Sequence, residues 1–378
     1  MIDYEILRII WWVLLGLLLI GFAIFDGFDL GIAMLLPIVA KNDLEKRITI
    51  NTIGPVWEGN QVWIILGAGA IFAAWPYVYS VAFSGFYFAM LLALMGFILR
   101  PVGFKYRSKL QKQSWRNFWD VAIFLGGFIP SFVFGVAIGN VLQGAPFQFD
   151  DNLRMFYTGS FWDLLNPFAL FCGLVSICML LMHGSSYLVT KVEDPVRQKA
   201  IKTGKISAFL LIVLFAVAGI WIKYGINGFL ANVSIADGPS NPLHKQVLLQ
   251  VGAWTSNYAK YPWMMLAPFV GFLGALYVLL LNHAKHEKLS FLASALSVFG
   301  VIATVGVSMF PFILPSSINP NDSLLVWDAS SSQLTLFIML VSTVIFLPII
   351  LLYTSWVYHV LRGKVTKNYI EDNEKSVY

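Results

Sequence analysis

The feature that most constrains this chain is a series of long apolar runs, because each one is long enough to cross a lipid bilayer as a helix. Such a helix needs about 20 mostly apolar residues to span roughly 30 Å of hydrocarbon. Runs of this kind recur from one end of the sequence to the other with no long polar linker between them. They occupy nine segments, at residues 9–38, 50–75, 80–99, 118–142, 164–190, 206–228, 262–282, 289–313 and 334–360.

The composition agrees with a membrane protein and excludes a water-soluble domain. Hydrophobic residues make up 58% of the 378 residues and charged residues only 12%, whereas soluble domains contain about 45 to 50% and about 25%. We therefore predict an all-α, polytopic membrane protein of about nine transmembrane helices. It is expected to form a single membrane domain over residues 1–378, of which 361–378 are a short cytoplasmic tail.

The placement of basic residues predicts how the chain is oriented. Of its 25 basic residues, 20 lie in the loops after spans one, three, five and seven or in the tail after span nine. By the positive-inside rule, these segments face the cytoplasm, which puts the N-terminus on the periplasmic side and the C-terminus in the cytoplasm. The net charge of +5 is therefore a topology signal, and no nucleic-acid partner is expected.

Three acidic residues are predicted to lie inside the bilayer. Asp26 and Asp29 are three residues apart and so share a helix face, and Glu58 lies in the second span. Counted inward from the basic loop at 41–47, Asp29 and Glu58 have similar depths of roughly 16 to 18 Å. Because a charge at this depth costs about 2.5 to 3.5 kcal/mol, these acids indicate a proton relay, a cation site or a contact with a partner subunit.

Glu58 belongs to the densest polar cluster in any predicted span. The other members of this cluster are Trp57, Asn60, Gln61 and Trp63. Hydrogen bonding between helices, at about 0.6 to 2 kcal/mol per bond, is the simpler interpretation for Asn60 and Gln61, and it remains an alternative for Asp26, Asp29 and Glu58. Arg100 opens the basic loop after span three, where attraction of anionic membrane lipid is the simpler interpretation.

The sequence offers few ligands for a redox cofactor. Haem iron takes axial His, Met, Cys or Tyr ligands, and b-type sites depend on His. Of the five histidines only His183 lies within a predicted span, and Cys172 and Cys178 are too few for the usual four-ligand zinc site. No paired-histidine, phosphate-loop or nucleophile motif is present. We therefore expect that this chain ligates no metal or cofactor itself.

Several segments carry a resemblance to a known family. Along essentially its whole length, the chain resembles subunit II of the cytochrome bd-type quinol oxidases. The segments that match are FDGFDLG at 25–31, WEGNQVW at 57–63, FAAWP at 72–76, FSGFY at 83–87, RPVGF at 100–104 followed by Tyr106 and Arg107, and the stretch 309–335.

The resemblance implies an architecture of two four-helix bundles plus one extra helix, placed in the bacterial cell inner membrane. It also implies a two-subunit oxidase that takes electrons from quinol, reduces dioxygen to water with protons from the cytoplasm, and generates a membrane potential. Haems b558, b595 and d are then expected on a separate chain, subunit I. Some members hold a structural quinone, whose ligands the sequence does not identify, and small accessory subunits are a further expected class of partner.

The resemblance also implies roles for particular residues. It assigns the acid at Glu58, which is Asp in some members, to a proton path at the subunit interface, and Asp29 lies in a matching motif. The rival interpretation is a secondary transporter, whose midplane acids and proline-broken helices produce a similar composition. The candidates for the proton path or the subunit interface are Glu58, Asp29, Asp26, Trp57, Asn60, Gln61, Trp63 and Arg100.

Overall fold

A computed structural model describes residues 2–232, 239–281, 286–373 and 377–378 of the chain. Helices account for most of the described residues. They are α1 (Tyr4–Val39), α2 (Asp43–Asn51), α3 (Trp57–Ala74), α4 (Pro76–Gly85), α5 (Tyr87–Arg107), α6 (Gln113–Gln143), α7 (Pro167–Lys191), α8 (Val196–Gly225), α9 (Ser256–Lys260), α10 (Leu266–Leu280), α11 (Glu287–Met309), α12 (Gln333–Val360) and α13 (Lys367–Asp372).

Within the described ranges, eight helices are long and apolar enough to cross a membrane. They are α1, α5, α6, α7, α8, α10 with the turn that begins at Pro262, α11 and α12. The predicted span at 50–75 is the remaining one, and its predicted start is wrong: α2 ends at Asn51, turns follow, and α3 begins only at Trp57. Gly54 and Pro55 explain this break, because glycine weakens a helix and proline disfavours the helical conformation in the residue before it.

The packing of the long helices agrees with the expected two bundles and one extra helix. The first bundle contains α1, α3, α5 and α6, and the second contains α7, α8, α10 and α11, while α12 lies against α1 and α3. Helix α1 also packs against α7 and α11 and so joins the two bundles. Glycines permit this close approach: a Cβ atom on Gly184 of α7 would lie only 2.7 Å from the backbone of Gly31 of α1.

Three small antiparallel strand pairs lie in the connections between helices. The strands are β1 (Phe147–Phe149) with β2 (Met155–Tyr157), β3 (Asn227–Asn232) with β4 (Gln246–Val251), and β5 (Phe312–Leu314) with β6 (Leu324–Leu325). The first and third pairs are tied together where the Ala145 amide donates to the Pro315 carbonyl at 2.9 Å. These connections follow α6, α8 and α11, so they lie at one end of the bundles.

Charged residues link the helix ends at the opposite side. Arg107 at the end of α5 pairs with Asp43 at 2.9 Å and with Asp120 of α6 at 2.5 Å. Lys46 of α2 also contacts Asp120, at 2.8 Å, and Arg116 contacts Asp43 at 3.0 Å. The basic loops that the sequence places on one side are therefore joined into a network at one end of the bundles.

The segment after α12 is docked onto the same side. The Val365 amide donates to the Lys191 carbonyl at 2.8 Å, and the Lys191 ammonium donates to the Leu361 carbonyl at 2.6 Å. Ile370 of α13 is buried, and α13 packs on α2. The predicted tail at 361–378, apart from residues 374–376, which lie outside the described part, thus covers the ends of α2 and α7.

Candidate functional site

The two acids of α1 lie in the interior of the protein. The side chains of Asp26 and Asp29 have no solvent exposure, and their three-residue spacing places both on the same face of the helix. This face is covered on several sides because α1 contacts α3 and α6 of its own bundle and α7 and α11 of the other. Each carboxylate therefore needs a partner from a neighbouring helix.

Asp26 finds its partner in Arg100 of α5. An Arg100 guanidinium nitrogen (Nη2) lies 2.6 Å from Asp26 Oδ1, and neither side chain is exposed. Close packing of α5 on α6 is possible here because Gly126 faces Arg100: a Cβ atom on Gly126 would lie 2.8 Å from the Arg100 amide nitrogen. Arg100 is thus held in the interior and belongs to the acid site. The simpler interpretation from sequence, a lipid-facing residue of the basic loop, is wrong.

Asp29 is bound to a chain of two further polar residues. Asn60 Nδ2 of α3 donates to Asp29 Oδ2 at 2.8 Å, and the Tyr358 hydroxyl of α12 donates to Asn60 Oδ1 at 2.6 Å. Asn60 is buried. The chain of hydrogen bonds therefore connects three helices, α1, α3 and α12.

The acid site retains unused hydrogen-bonding capacity. Among the residues that the structure describes, no protein partner reaches Asp26 Oδ2, Asp29 Oδ1, or the Nε and Nη1 atoms of Arg100. Buried polar atoms are nearly always satisfied by protein or by ordered water. A cluster of internal water molecules would provide hydrogen-bond partners for these four atoms, which belong to three neighbouring side chains.

Aromatic rings enclose the acids. Phe25 stacks on Trp63 with ring centroids 5.2 Å apart and lies 6.2 Å from the Tyr358 ring. On the other side, Phe28 stacks on Tyr187 at 3.9 Å. These rings exclude bulk solvent, so the carboxylates lie in a low-dielectric setting where charge interactions are strong.

Glu58 lies in a different environment from the other acids. Its side chain is 70% exposed on the surface of the chain, and its nearest ionic partner is Lys105 Nζ at 3.8 Å. It occupies the first turn of α3, where the helix dipole stabilises a carboxylate. Asn60, two residues further along α3, is the member of this polar cluster that contacts Asp29.

The remaining candidates differ in burial. Trp63 is buried, Trp57 and Gln61 are half-buried, and neither Gln61 nor Trp57 joins the hydrogen-bonded chain. Tyr358 and Lys105 also contact residues of the site, although the sequence does not predict their positions there. Nothing in the sequence distinguishes Tyr358 from the many aromatic residues near span ends.

The arrangement around His183 is structural. Its ring is fully buried, with Nδ1 2.8 Å from Ser294 Oγ and Nε2 2.8 Å from the Ile24 carbonyl oxygen. Both nitrogens are therefore occupied by protein oxygens and neither is directed at an open metal position. Over the described ranges, no three His, Cys, Asp or Glu residues come together in a group that could hold a metal ion.

The family-model match covers almost the whole chain. Residues 7–361 match the cytochrome bd terminal oxidase subunit II family. The chain is 48% identical over 379 residues to the cytochrome bd-I ubiquinol oxidase subunit 2 of Escherichia coli strain K12, with 100% of both chains covered. It is 47% identical to the probable cytochrome oxidase subunit 2 of Haemophilus influenzae, again over 100% of both.

More distant proteins share the fold. The chain is 27% identical over 358 residues to the cytochrome bd ubiquinol oxidase subunit 2 of Bacillus subtilis, covering 94% of this chain and 96% of that one. A chain in the structure of bd oxidase from Geobacillus thermodenitrificans superposes with a TM-score of 0.64 at 16% identity, covering 94% of this chain and 98% of that one. This chain therefore belongs to the cytochrome bd terminal oxidase subunit II family.

Proposed function

We propose that this chain is the haem-free subunit of a terminal quinol oxidase, an electrogenic quinol:oxygen oxidoreductase of the bacterial inner membrane. A partner chain of the subunit I type carries haems b558, b595 and d, oxidises quinol and reduces dioxygen to water. This chain supports the partner and supplies part of the path by which protons from the cytoplasm reach the haems. Because quinol releases its protons on the outer side, the reaction generates a membrane potential.

The observation that carries this proposal is the exposure of Glu58. Asp29 lies ten residues from the end of α1 at Val39, or about 15 Å along the helix, and Asn60 contacts Asp29. Glu58 therefore lies only about 3 Å nearer to that end, at a depth where a carboxylate facing lipid would be costly. A partner chain that covers this surface removes the cost, so we place the subunit interface at Glu58.

The buried groups extend inward from this surface. The Asp29 carboxyl group and the ion pair of Asp26 with Arg100 lie inside the bundle, and internal water at their polar atoms would link them. Asn60 and Tyr358 position Asp29, since an amide neither gains nor loses a proton readily. Glu58 is the proton carrier at the interface, and the interior acids compensate charge or exchange protons with it through water.

The orientation and domain boundaries follow from the same proposal. Proton uptake from the cytoplasm requires that the end of the bundles bearing the basic network faces the cytoplasm, as the positive-inside rule predicts. The N-terminus is then periplasmic, and 361–378 are a cytoplasmic tail of a single membrane domain.

Purification distinguishes this function from that of a secondary transporter. The tagged chain, extracted in mild detergent, should bring with it a larger haem-containing chain, and the sample should show reduced-haem absorption bands and quinol-dependent oxygen consumption. A transporter would purify alone and colourless. A colourless, single-chain preparation that retains its fold would refute the oxidase assignment.

Tyr358→Phe tests the positioning role of the hydrogen-bonded chain. The change removes the hydroxyl that Asn60 accepts from but keeps the ring on Phe25, so the expected loss of stability is about 0.5 to 1.5 kcal/mol. Turnover should fall several-fold, with unchanged haem content, because Asn60 no longer holds Asp29 in one position. Tyr277→Phe, at an exposed tyrosine of α10, is the matched control. Equal turnover in the two variants would contradict the positioning role.

A further inference from the structure

A groove opens on the surface of the first bundle at the end that bears the basic network. It has a volume of about 280 Å³ and lies between the ends of α1 and α6, beside α2. Nearly all of its accessible wall is apolar, although an ion pair, Lys46 with Asp120, is among the lining residues. The lining residues are Leu36, Pro37, Lys46, Asp120, Val121 and Phe124.

We propose that this groove binds one anionic phospholipid of the membrane leaflet at that end. Its phosphate would lie at Lys46 and Lys41, and one acyl chain would fill the apolar part beside Val121 and Phe124. The proposal does not depend on the oxidase activity, because it rests only on the residues of this chain that line the groove and its mouth.

Charge at the mouth of the groove favours an anion. Lys46 Nζ contacts Asp120 Oδ2 at 2.8 Å, which uses one of the three donors of an ammonium group. Asp120 is also paired with Arg107 at 2.5 Å. Two cations therefore neutralise Asp120, which leaves part of the positive charge of Lys46 to attract an anion. Lys41 lies at the same mouth, with Nζ 3.4 Å from the carbonyl oxygen of the lining residue Pro37.

The wider cluster of charged side chains around the groove also has a net positive charge. Five basic side chains face three acidic ones in this cluster, whose members are Lys41, Lys46, Arg107, Arg116, Lys199, Asp43, Glu45 and Asp120. Basic pockets between membrane helices at the cytoplasmic side are the usual sites for anionic headgroups. A zwitterionic headgroup would be attracted less strongly by this excess of positive charge.

The apolar part of the groove fits an acyl chain. On α6, the exposed side chains of Phe118, Val121 and Leu125 recur at the spacing of one helix face, so they form an apolar stripe that runs from the groove toward the membrane centre. The groove volume is slightly below the roughly 300 to 1,000 Å³ of pockets that enclose a small molecule. An acyl chain that lies along this stripe matches both its apolar surface and the small volume of the groove. The bound lipid would hold α1, α2 and α6 together.

Lipid retention by the purified complex tests this site. The complex is reconstituted in nanodiscs of phosphatidylcholine doped with phosphatidylglycerol, extracted with lipid-free detergent, and its retained phospholipids are counted by native mass spectrometry. We expect one retained phosphatidylglycerol in the unmodified complex. Val121→Trp, which fills the groove from an exposed position, should abolish retention, whereas Ile138→Trp, at an exposed site near the other end of α6, should not.

A second pair of variants tests the charge. Lys41→Gln with Lys46→Gln should lower the preference for phosphatidylglycerol over phosphatidylcholine about fivefold for each lysine removed. Lys109→Gln with Lys112→Gln, two exposed lysines outside the groove, should leave it unchanged. Equal retention of the two phospholipids by the unmodified complex, undiminished retention in Val121→Trp, or a retained quinone in place of phospholipid would each overturn the proposal.

Discussion

Replacing Arg100 with methionine is expected to lower the free energy of unfolding by about 3 to 5 kcal/mol, because it leaves Asp26 as an unpaired charge in the interior. The two groups are 2.6 Å apart and neither is exposed to solvent. Methionine fills a similar length of the site with apolar atoms, so the loss is electrostatic rather than a loss of packing. Thermal unfolding of the purified complex, followed by intrinsic fluorescence, measures the effect.

The double variant separates the electrostatic effect of the ion pair on stability from the effect of the packing around it. Asp26→Leu combined with Arg100→Met removes both charges, and apolar replacements of a buried pair are often neutral or stabilising. Its stability should therefore return to within about 1 kcal/mol of the unmodified protein, although Asp29 loses the compensating charge of Arg100. Lys109→Met, at an exposed position just beyond α5, is the control, with an expected change below about 0.5 kcal/mol.

The same double variant tells whether the pair is structural or takes part in proton transfer. If stability and quinol-dependent oxygen consumption both recover, Asp26 and Arg100 serve only to hold α1 against α5. If stability recovers while oxygen consumption stays low, the charges themselves are needed. If Arg100→Met were as stable as the control, the expected cost of leaving Asp26 unpaired would be contradicted, and with it the stabilising role of the ion pair.

The sequence predicts those features of this protein that depend on local periodicity. The common face of Asp26 and Asp29 follows from a spacing of three residues on a helix, and long apolar runs identify the spans because the bilayer fixes their length. The helix boundary at Trp57 was less predictable. Gly54 and Pro55 signal a break, but hydropathy averages across them, so the run from 50 appeared continuous.

Local periodicity does not predict which side chains of distant helices contact each other. Arg100 and Asp26 are 74 residues apart, and Tyr358 and Asn60 are 298 apart. Arg100 looked like part of the basic loop because nothing in the sequence shows which way a residue near a span end points. Similarly, the depth of Glu58 could be counted from the loop, but its exposure depends on how α3 and α12 pack.

The largest functional effect is expected from Glu58→Ala, which should lower quinol-dependent oxygen consumption on the order of 100-fold, the lower end of what a positioned proton-transferring side chain contributes. Alanine removes the exposed carboxylate at the proposed interface, whereas Asp29 and Asp26 are enclosed by aromatic rings. Turnover of the purified complex is measured with an oxygen electrode, and the reduced-minus-oxidised spectrum verifies that the partner chain keeps its haems.

Two further variants at this position separate proton transfer from structure. Glu58→Asp keeps the carboxylate and should retain most of the turnover, while Glu58→Gln keeps the size but cannot release a proton and should resemble Glu58→Ala. Glu58 Oε1 and Lys105 Nζ are 3.8 Å apart, a long contact whose loss in Glu58→Gln is not expected to account for a 100-fold change through stability. Turnover in Glu58→Gln equal to that of the unmodified complex would remove Glu58 from the proton path and leave it as the stabilising acid in the first turn of α3.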